Sequence, residues 1–287
     1  MSSPDEMATE DPAAPMSVQA ILTLESHGPD TFVGAGPRYP WGGLYGGQIV
    51  AQALRAASLT IDVGLEVHSL RAYFIRRGDH NEPVRYEVDR LRNGRSFCTR
   101  RVVARQAVGA ILNLEASFHR HEDSADVESV TKTHGVPDPE LLVSSSWTPL
   151  LDRRFVSQDA APVVERDAAG RATAWMRVGE RLDDDPLLHA SAVAYLSDDL
   201  PTDAVVRAHP IGTEPEEVIH AHLFTASLDH TIWFHRPLRA DEWHLHDFTC
   251  HTFVGGRGLS IGHLFTRDGT HAATVAQEVL LRDDRTR

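Results

Sequence analysis

One stretch of the sequence decides the fold: Gly42-Gly-Leu-Tyr-Gly-Gly-Gln-Ile-Val-Ala-Gln-Ala-Leu-Arg-Ala-Ala-Ser-Leu59. Its glycine-rich first part allows the backbone to approach another group closely. Its second part is rich in alanine and other good helix formers and contains no proline. Apolar side chains cover most of the predicted helix, and Arg55 is its one charged residue. Because a helix that is apolar nearly all round is a buried helix, other elements are expected to enclose this one.

The segments that follow this helix predict an antiparallel sheet. Strand-like patterns cover residues 66–76, 83–92, 96–106 and 109–118, and Asn93-Gly94 is a strong hairpin signal between two of them. A similar order recurs later, with an apolar helix at 186–197 and strands at 154–165, 173–179, 223–236, 243–253, 259–267 and 271–282. Asp184 or Asp185, just before Pro186, is the expected N-cap of that helix. The repeat predicts an α+β fold of two tandem units, each a long helix wrapped by a curled sheet. Pairing of the two sheets would cover their edges.

A repeated short motif and changes in composition predict how the chain is divided into segments. Tyr73-Phe74-Ile75-Arg76 is matched by Trp233-Phe234-His235-Arg236 at the end of the first long strand of each half. We expect a disordered acidic tail at 1–17, an N-terminal unit at 18–120, a polar linker at 121–150 and a C-terminal unit at 151–287. A short helix at 18–24 is expected to lead into the first unit.

Composition limits the classes of partner. With 41% apolar and 24% charged residues the chain is typical of soluble globular proteins, and it contains no apolar run long enough to span a membrane. A net charge of −13 argues against nucleic-acid and membrane partners. The acidic N-terminus does not resemble a targeting signal, so a cytoplasmic location is expected. Cys98 and Cys250 are then expected to be free, buried thiols.

Several ordered blocks resemble one family. In the first half these are Gly46-Gly47-Gln48-x-x-x-Gln52, His68-Ser69-x-x-x-Tyr73-Phe74-x-Arg76 and Arg92-x-Gly94-x-Ser96-Phe97-x-x-Arg100-Arg101. In the second half they are Asp229-His230-x-x-Trp233-Phe234, Arg257-Gly258 and Gln277-Glu278. Across residues 18–282 the sequence is similar to the type II acyl-CoA thioesterases of the TesB type. The resemblance implies a double hotdog fold and hydrolysis of fatty acyl-CoA to free fatty acid and CoA, without a metal ion or cofactor.

The resemblance also implies the catalytic residues: Asp198, within Tyr195-Leu196-Ser197-Asp198, together with Ser227 and Gln277. These side chains would hold a water for attack on the thioester. Asp199 follows where the family usually has an apolar residue, so either carboxylate can be the one that points inward. Asp198 is favoured because it shares one helical stripe with three residues of the preceding helix, Leu187, Ser191 and Ala194.

Hydrolysis of a thioester by water requires a base such as an aspartate. Water needs a base to take its proton as it attacks, and partial burial raises the basicity of an aspartate. Direct attack by the aspartate, giving a mixed anhydride, is the alternative. For the acyl-CoA substrate, the glycine loop at Gly42–Gly47, including Gly46 and Gly47, is a candidate donor to the oxyanion or to the CoA phosphates. The other expected substrate-binding residues are His68, Arg95 and Arg257. The arginine run over 90–105 is either a site for the 3′-phosphoadenosine of CoA or a solvated sheet face.

Other patterns indicate different functions. Gly258-x-Ser260-x-Gly262 matches a serine-hydrolase motif, but it lies in a strand-like run rather than at a strand-to-helix turn. Three His-x-His pairs, at 119, 220 and 244, lack a third ligand at convincing spacing. Gly78-Asp79-His80-Asn81 resembles a hotdog enoyl-CoA hydratase motif interrupted by Glu82. A hydratase, or a non-catalytic acyl-CoA or lipid-binding protein on the same fold, is therefore the alternative function. Uncovered sheet edges predict a homo-oligomer.

Overall fold

The computed structural model describes residues 16–156 and 170–286, so the predicted acidic tail falls almost wholly outside them, as does the predicted strand beyond residue 156. Within these ranges there are five α-helices and thirteen strands. The helices are α1 (Val18–Leu22), α2 (Gly46–Ser58), α3 (Pro186–Ser197), α4 (Leu200–Ala208) and α5 (Glu216–His222). The strands of the first half are β1 (Glu25–Ser26), β2 (Thr31–Gly34), β3 (Leu65–Phe74), β4 (Val84–Asn93), β5 (Phe97–Gln106) and β6 (Gly109–Arg120). Those of the second half are β7 (Leu151–Phe155), β8 (Arg171–Val178), β9 (Leu223–Ser227), β10 (Asp229–Phe234), β11 (His244–Val254), β12 (Arg257–Thr266) and β13 (His271–Asp283).

The described strands form one antiparallel sheet. Its order is β1-β2-β4-β5-β6-β3-β10-β13-β12-β11-β8-β7, with β9 attached to β13. The two half-sheets join where β3 pairs with β10, with Leu70 opposite Ile232. The central helices α2 and α3 pack against each other, and α2 lies on β3 to β6. The predicted α+β double hotdog fold and the pairing of the two sheets are thus confirmed.

Small side chains explain how α2 is buried so deeply. Ala51, Ala53, Ala56 and Ala57 are inaccessible to solvent, so the helix axis can lie close to the sheet and to α3. In the strands beneath it, inward positions are apolar and outward ones are polar, as the twofold period of a strand requires. Asp185 begins α3 by accepting a hydrogen bond from the Leu187 N–H, as predicted for one of the two aspartates before Pro186.

Part of the segment between β6 and β7 covers the outer face of the second half-sheet. It places Val130, Val136 and Leu142 against an apolar cluster on that face: Val156, Trp175, Trp243, Leu245 and Phe265. The Trp175 indole N–H donates to the Pro137 carbonyl at 2.8 Å. Ion pairs of Asp126 with Arg236 and of Glu140 with Arg267 flank these contacts. A polar, proline-containing linker thereby buries tryptophans that a solvated sheet face would leave in water.

Two elements of the second half differ from the prediction. The single strand predicted over 223–236 is wrong: Leu228 interrupts it, and its N–H and C=O bond Glu278 and Phe74 outside the β9 and β10 ladders. The break allows β9 to pair with one end of β13 while β10 pairs with both β13 and β3. Helix α4 was not predicted, although Pro201 in its first turn is a common helix-start signal.

Both cysteines are free, as predicted, but only Cys98 is fully buried, while Cys250 is half-buried. Among the described helices, none has the length and apolar content needed to cross a membrane.

The buried Arg100 side chain binds the backbone just beyond the C-terminal end of α2. Its side chain is only 2% exposed, and it donates from Nε to Thr60 Oγ1 at 2.8 Å and from Nη2 to the Thr60 carbonyl at 2.9 Å. Nη1 donates to the carbonyls of Arg92 and Thr99. The cation therefore lies at the negative end of the helix dipole and satisfies carbonyls that water cannot reach.

We predict that Arg100→Met lowers the free energy of unfolding by about 3 kcal/mol or more, because it leaves several buried acceptors without a hydrogen-bond donor. The matched control is Arg101→Met, one residue along. Arg101 is exposed on the outer face and pairs with Asp89, so its loss should cost no more than about 1 kcal/mol. Urea unfolding followed by circular dichroism measures both variants. Equal losses in the two would contradict the structural role of Arg100.

Candidate active site

Four elements converge between the two halves of the molecule. Asp198 follows the last residue of α3, and it faces the first turn of α2, where Gly46 and Gly47 lie. Ser227 ends β9, and its hydroxyl lies 3.4 Å from Asp198 Oδ1. Gln277, on β13, donates from Nε2 to Ser227 Oγ at 2.8 Å. The three residues expected to be catalytic are therefore brought together, and they meet at the interface of the two hotdog units.

The environment of Asp198 shifts its acidity. Burial raises the pKa of this carboxyl to about 7, and the nearby charge of Asp199 adds to the rise. Hydrogen bonds from the Gln277 amide, the Gly47 backbone N–H and the Ser227 hydroxyl stabilise the carboxylate and so lower its pKa in part. The N-terminus of α2 also presents its positive dipole end to this carboxylate. The outcome is a buried acid whose pKa lies near neutral pH.

A hydrogen-bonded chain leads into the site from His230. Burial lowers the pKa of this histidine to about 4, so the ring is neutral at pH 7 and carries one N–H. With Gln277 oriented as in the structure, His230 Nδ1 donates to Gln277 Oε1 at 2.5 Å, and Nε2 accepts from the Ser197 hydroxyl at 2.9 Å. Gln277 donates in turn to Ser227, which donates to Asp198. Every donor in the chain thus points toward the carboxylate.

Asp199 has different partners. Its carboxylate pairs with Arg153 at 2.8 Å and accepts a hydrogen bond from the Trp147 indole N–H at 2.6 Å. Asp199 is also the N-cap residue of α4. This geometry separates the two neighbouring aspartates. Asp198 faces Ser227 and Gln277, whereas Asp199 ties the second unit to the segment before β7.

The two glycines of α2 are required for close approach. A Cβ added to Gly47 would lie 2.3 Å from the Tyr195 carbonyl oxygen, and one added to Gly46 would lie 2.6 Å from Asp198 Oδ2. The first turn of α2 therefore touches the last turn of α3 with no room for a side chain. This contact sets the distance between the α2 N–H groups and the carboxylate.

An aromatic cluster that the sequence patterns did not predict borders the site. Tyr39, Trp41 and Tyr45 come from the loop before α2, Trp147 from the segment before β7, and Tyr195 from α3. The Tyr45 ring lies 5.1 Å from that of Tyr195 and 5.3 Å from that of Trp147, and its hydroxyl donates to the Tyr195 carbonyl. Glycine-flanked aromatics at 39–45 were the available signal. Their partner Trp147 lies about a hundred positions away, so only the tertiary structure reveals the cluster.

The remaining residues expected to bind substrate lie apart from the carboxylate. Arg95 is exposed in the turn between β4 and β5. His68 lies near the start of β3 and bonds Ser117 Oγ at 2.8 Å. Arg257 is exposed and pairs with Glu278 at 2.9 Å. None of these three touches Asp198, Ser227 or Gln277 in the described contacts.

The arginine run over 90–105 divides between two roles. Arg100 is buried as described above, and three others pair with carboxylates, Arg90 with Asp30, Arg101 with Asp89 and Arg105 with Glu87. Arg92 and Arg95 are exposed. Four of the six arginines therefore already have partners within the protein.

The other candidate motifs lie outside the site or act structurally. Ser260 is in the middle of β12, as predicted, and not at a nucleophile elbow. His244 and His246 are buried and bond each other at 2.8 Å, and within 16–156 and 170–286 no three metal-ligating side chains come together. Asp79 is exposed in a turn, where it accepts hydrogen bonds from Asn81. Nothing in this geometry favours a hydratase site there.

Both halves of the chain match known protein families. Residues 36–119 match the acyl-CoA thioesterase N-terminal domain, and residues 117–281 match the acyl-CoA thioesterase C-terminal domain. Acyl-coenzyme A thioesterase 8 of Homo sapiens is 34% identical over 283 residues, which cover 92% of this chain and 88% of that protein. Acyl-CoA thioesterase 2 of Haemophilus influenzae is 30% identical over 255 residues, with 83% and 87% covered.

Solved structures agree in fold. The acyl-CoA thioesterase II TesB2 of Mycobacterium marinum superposes with a TM-score of 0.80 at 35% identity, covering 93% of this chain and 98% of that one. A hot dog fold protein of Alicyclobacillus acidocaldarius reaches 0.71 at 20% identity, with 92% and 97% covered, and supports the fold alone. The resemblance to type II acyl-CoA thioesterases is confirmed, and this chain belongs to the acyl-CoA thioesterase family.

Proposed function

We propose that this protein hydrolyses fatty acyl-CoA thioesters to a free fatty acid and CoA, with Asp198 as the general base. The observation that carries the proposal is a buried carboxylate with a pKa near 7, hydrogen-bonded to a serine and a glutamine at the start of a buried helix. A base works best when its pKa lies near the operating pH. The family membership supports the same reaction.

Each side chain has a role in this mechanism. Asp198 takes a proton from water as the oxygen attacks the thioester carbonyl. Ser227 and Gln277 hold that water, and the chain through His230 and Ser197 fixes the orientation of the glutamine. Positioning of this kind contributes several kcal/mol to catalysis when the reacting atoms are aligned. CoA then leaves as a thiolate and takes up the proton.

The developing oxyanion needs donors that are already in place. The first turn of α2 begins at Gly46, and the first N–H groups of a helix have no partner within the helix. The Gly47 N–H already bonds the Asp198 carboxylate, and no side chain on Gly46 or Gly47 separates this turn from it. We infer that this turn stabilises the oxyanion, assisted by the positive end of the helix dipole.

Free-thiol release from acyl-CoAs of short to long chain length tests the reaction and its substrate range. Turnover across part of the panel supports a thioesterase. Tight acyl-CoA binding without any release would overturn the proposal in favour of a binding protein. Hydration of a 2-enoyl-CoA without thiol release would favour a hydratase.

The raised pKa of Asp198 predicts a specific pH profile. A general base must be deprotonated, so kcat/KM should rise with pH, with unit slope below an apparent pKa of about 7 and a plateau above about pH 8. Rates measured from pH 5 to 9, with circular dichroism to check folding at each pH, give the profile. If kcat/KM fell only below about pH 4, the base would be an ordinary solvated carboxylate, which would contradict the assignment.

A further inference from the structure

Three arginines beside the candidate active site have no acidic partner. The chain has 41 acidic and 28 basic residues, and eight of the fifteen exposed arginines in the described ranges lie within 4 Å of a carboxylate oxygen. Arg38, Arg76 and Arg77 are exposed, and within the described ranges no carboxylate oxygen lies that close to them. Arg38 is in the loop before α2, and the other two follow β3 directly. These three cations form a surface beside the loop before α2, and no carboxylate among the described residues is paired with them, although Arg76 Nη1 donates to the Ala110 carbonyl at 2.8 Å.

An exposed indole lies within the same surface. The Trp41 side chain is 46% exposed, yet its ring is held in place: it stacks on Tyr39 with centroids 5.2 Å apart and planes 6° apart, and it meets Trp147 edge-on at 5.0 Å. Arg77 Nη2 donates to the Trp41 carbonyl at 2.6 Å, and its guanidinium lies against Gly43. The result is a fixed aromatic plane, partly open to water, with a guanidinium beside it.

The surface is close to the reacting groups. The Trp41 ring lies 6.0 Å from that of Tyr45, which immediately precedes Gly46, the residue in contact with Asp198. Five residues span at most about 18 Å even when fully extended, so Trp41 lies within that distance of Gly46. A substrate whose thioester reaches Asp198 therefore has its leaving-group arm within reach of this surface.

Building on the proposed hydrolysis, we propose that this surface binds the nucleotide end of the CoA substrate. The adenine ring stacks on Trp41, and the phosphates pair with Arg38, Arg76 and Arg77. Every base has a π-face that an aromatic side chain can stack on, and the planar guanidinium matches phosphate geometry with two parallel hydrogen bonds. A strongly acidic protein needs such a local reversal of charge to hold a ligand that carries several phosphate charges.

Acyl-CoA and the corresponding acyl-pantetheine, which lacks the nucleotide, separate this role from catalysis. We expect Trp41→Ala to raise KM for acyl-CoA about tenfold with kcat little changed, and to leave kcat/KM for acyl-pantetheine unaltered. Trp41→Phe should retain most of the affinity, because a smaller ring still stacks. Arg77→Gln should also act on acyl-CoA alone and should reduce the salt dependence of KM.

Matched controls come from elsewhere on the surface. Trp233 is 44% exposed on β10, and Arg120 is exposed at the end of β6 with no carboxylate oxygen within 4 Å in the described part of the chain. Trp233→Ala and Arg120→Gln should leave the preference for acyl-CoA over acyl-pantetheine unchanged. Equal effects of Trp41→Ala on both substrates, or none on either, would overturn the proposal while leaving the hydrolysis intact.

Calorimetric binding of adenosine 3′,5′-bisphosphate tests the surface without turnover. Wild type should bind it, and Trp41→Ala should bind it about tenfold more weakly. If wild type hydrolyses no acyl-CoA but shows this Trp41-dependent binding, the proposed function fails and the nucleotide surface stands. Absence of binding to wild type, or binding that Trp41→Ala leaves unchanged, would overturn the surface.

Discussion

Asp198→Asn is expected to lower kcat for acyl-CoA hydrolysis by 100-fold to 10,000-fold, the range over which a general base contributes. Asparagine has nearly the same shape and can still accept hydrogen bonds from Ser227 and the Gly47 N–H, but it cannot take a proton from water. KM should change little, because the substitution removes an interaction that matters in the transition state. Thiol release under saturating acyl-CoA measures the effect.

The neighbouring carboxylate supplies the control. Asp199→Asn keeps an acceptor for the Trp147 N–H but breaks the ion pair with the largely buried Arg153, so it should destabilise the protein. The kcat of the folded fraction should stay close to that of wild type. Loss of turnover in Asp199→Asn with full activity in Asp198→Asn would reassign the base by one residue. Full activity in both variants would remove a carboxylate base from the mechanism altogether.

Stability provides an independent readout for Asp198. Its pKa is raised on folding, so between about pH 4 and 7 the folded state binds a proton that the unfolded state has lost. The carboxyl therefore makes stability fall as pH rises through this window, by at most about 4 kcal/mol, since each unit of pKa difference is worth about 1.4 kcal/mol. Asp198→Asn should raise the Tm at pH 8 relative to wild type and change it much less at pH 4.

Gly47→Ala is expected to lower both stability and turnover. In an open helix the change would stabilise by up to about 1 kcal/mol, because alanine is the better helix former. Here the new methyl would lie 2.3 Å from the Tyr195 backbone oxygen, which cannot rotate away. The cost of the steric clash should exceed the gain in helix propensity. We expect a net loss of about 2 kcal/mol in the free energy of unfolding, a Tm roughly 5 °C lower and α2 displaced from Asp198.

Gly46→Ala is the companion variant, because its new methyl would meet mainly side chains, Asp198 Oδ2 at 2.6 Å and Phe74 at 3.0 Å. These groups can move, so the loss of stability should be small while the displaced carboxylate costs turnover. Thermal unfolding and thiol release of the two variants distinguish the cases. Wild-type Tm and activity in Gly47→Ala would contradict the close contact of α2 with α3.

Local patterns in the sequence determined the architecture. The alanine-rich helix, the hairpin at Asn93-Gly94 and the aspartate before Pro186 each act within a few residues, so propensity, turn chemistry and capping predict them without tertiary information. The twofold repeat of helix and strands then predicted two joined sheets, since each half has an edge to cover. The resemblance to a family located Asp198, Ser227 and Gln277, which no local pattern singles out.

The tertiary structure decided what depends on distant partners. Asp198 and Asp199 are adjacent and chemically identical, and they differ only because one faces Ser227 and Gln277 while the other meets Arg153. The break at Leu228 follows from β9 and β10 pairing with different neighbours. The aromatic cluster around Trp41 needs Trp147, which lies at the C-terminal end of the linker. Burial and electrostatic environment are sums over residues remote in sequence, and only the folded chain brings those residues together.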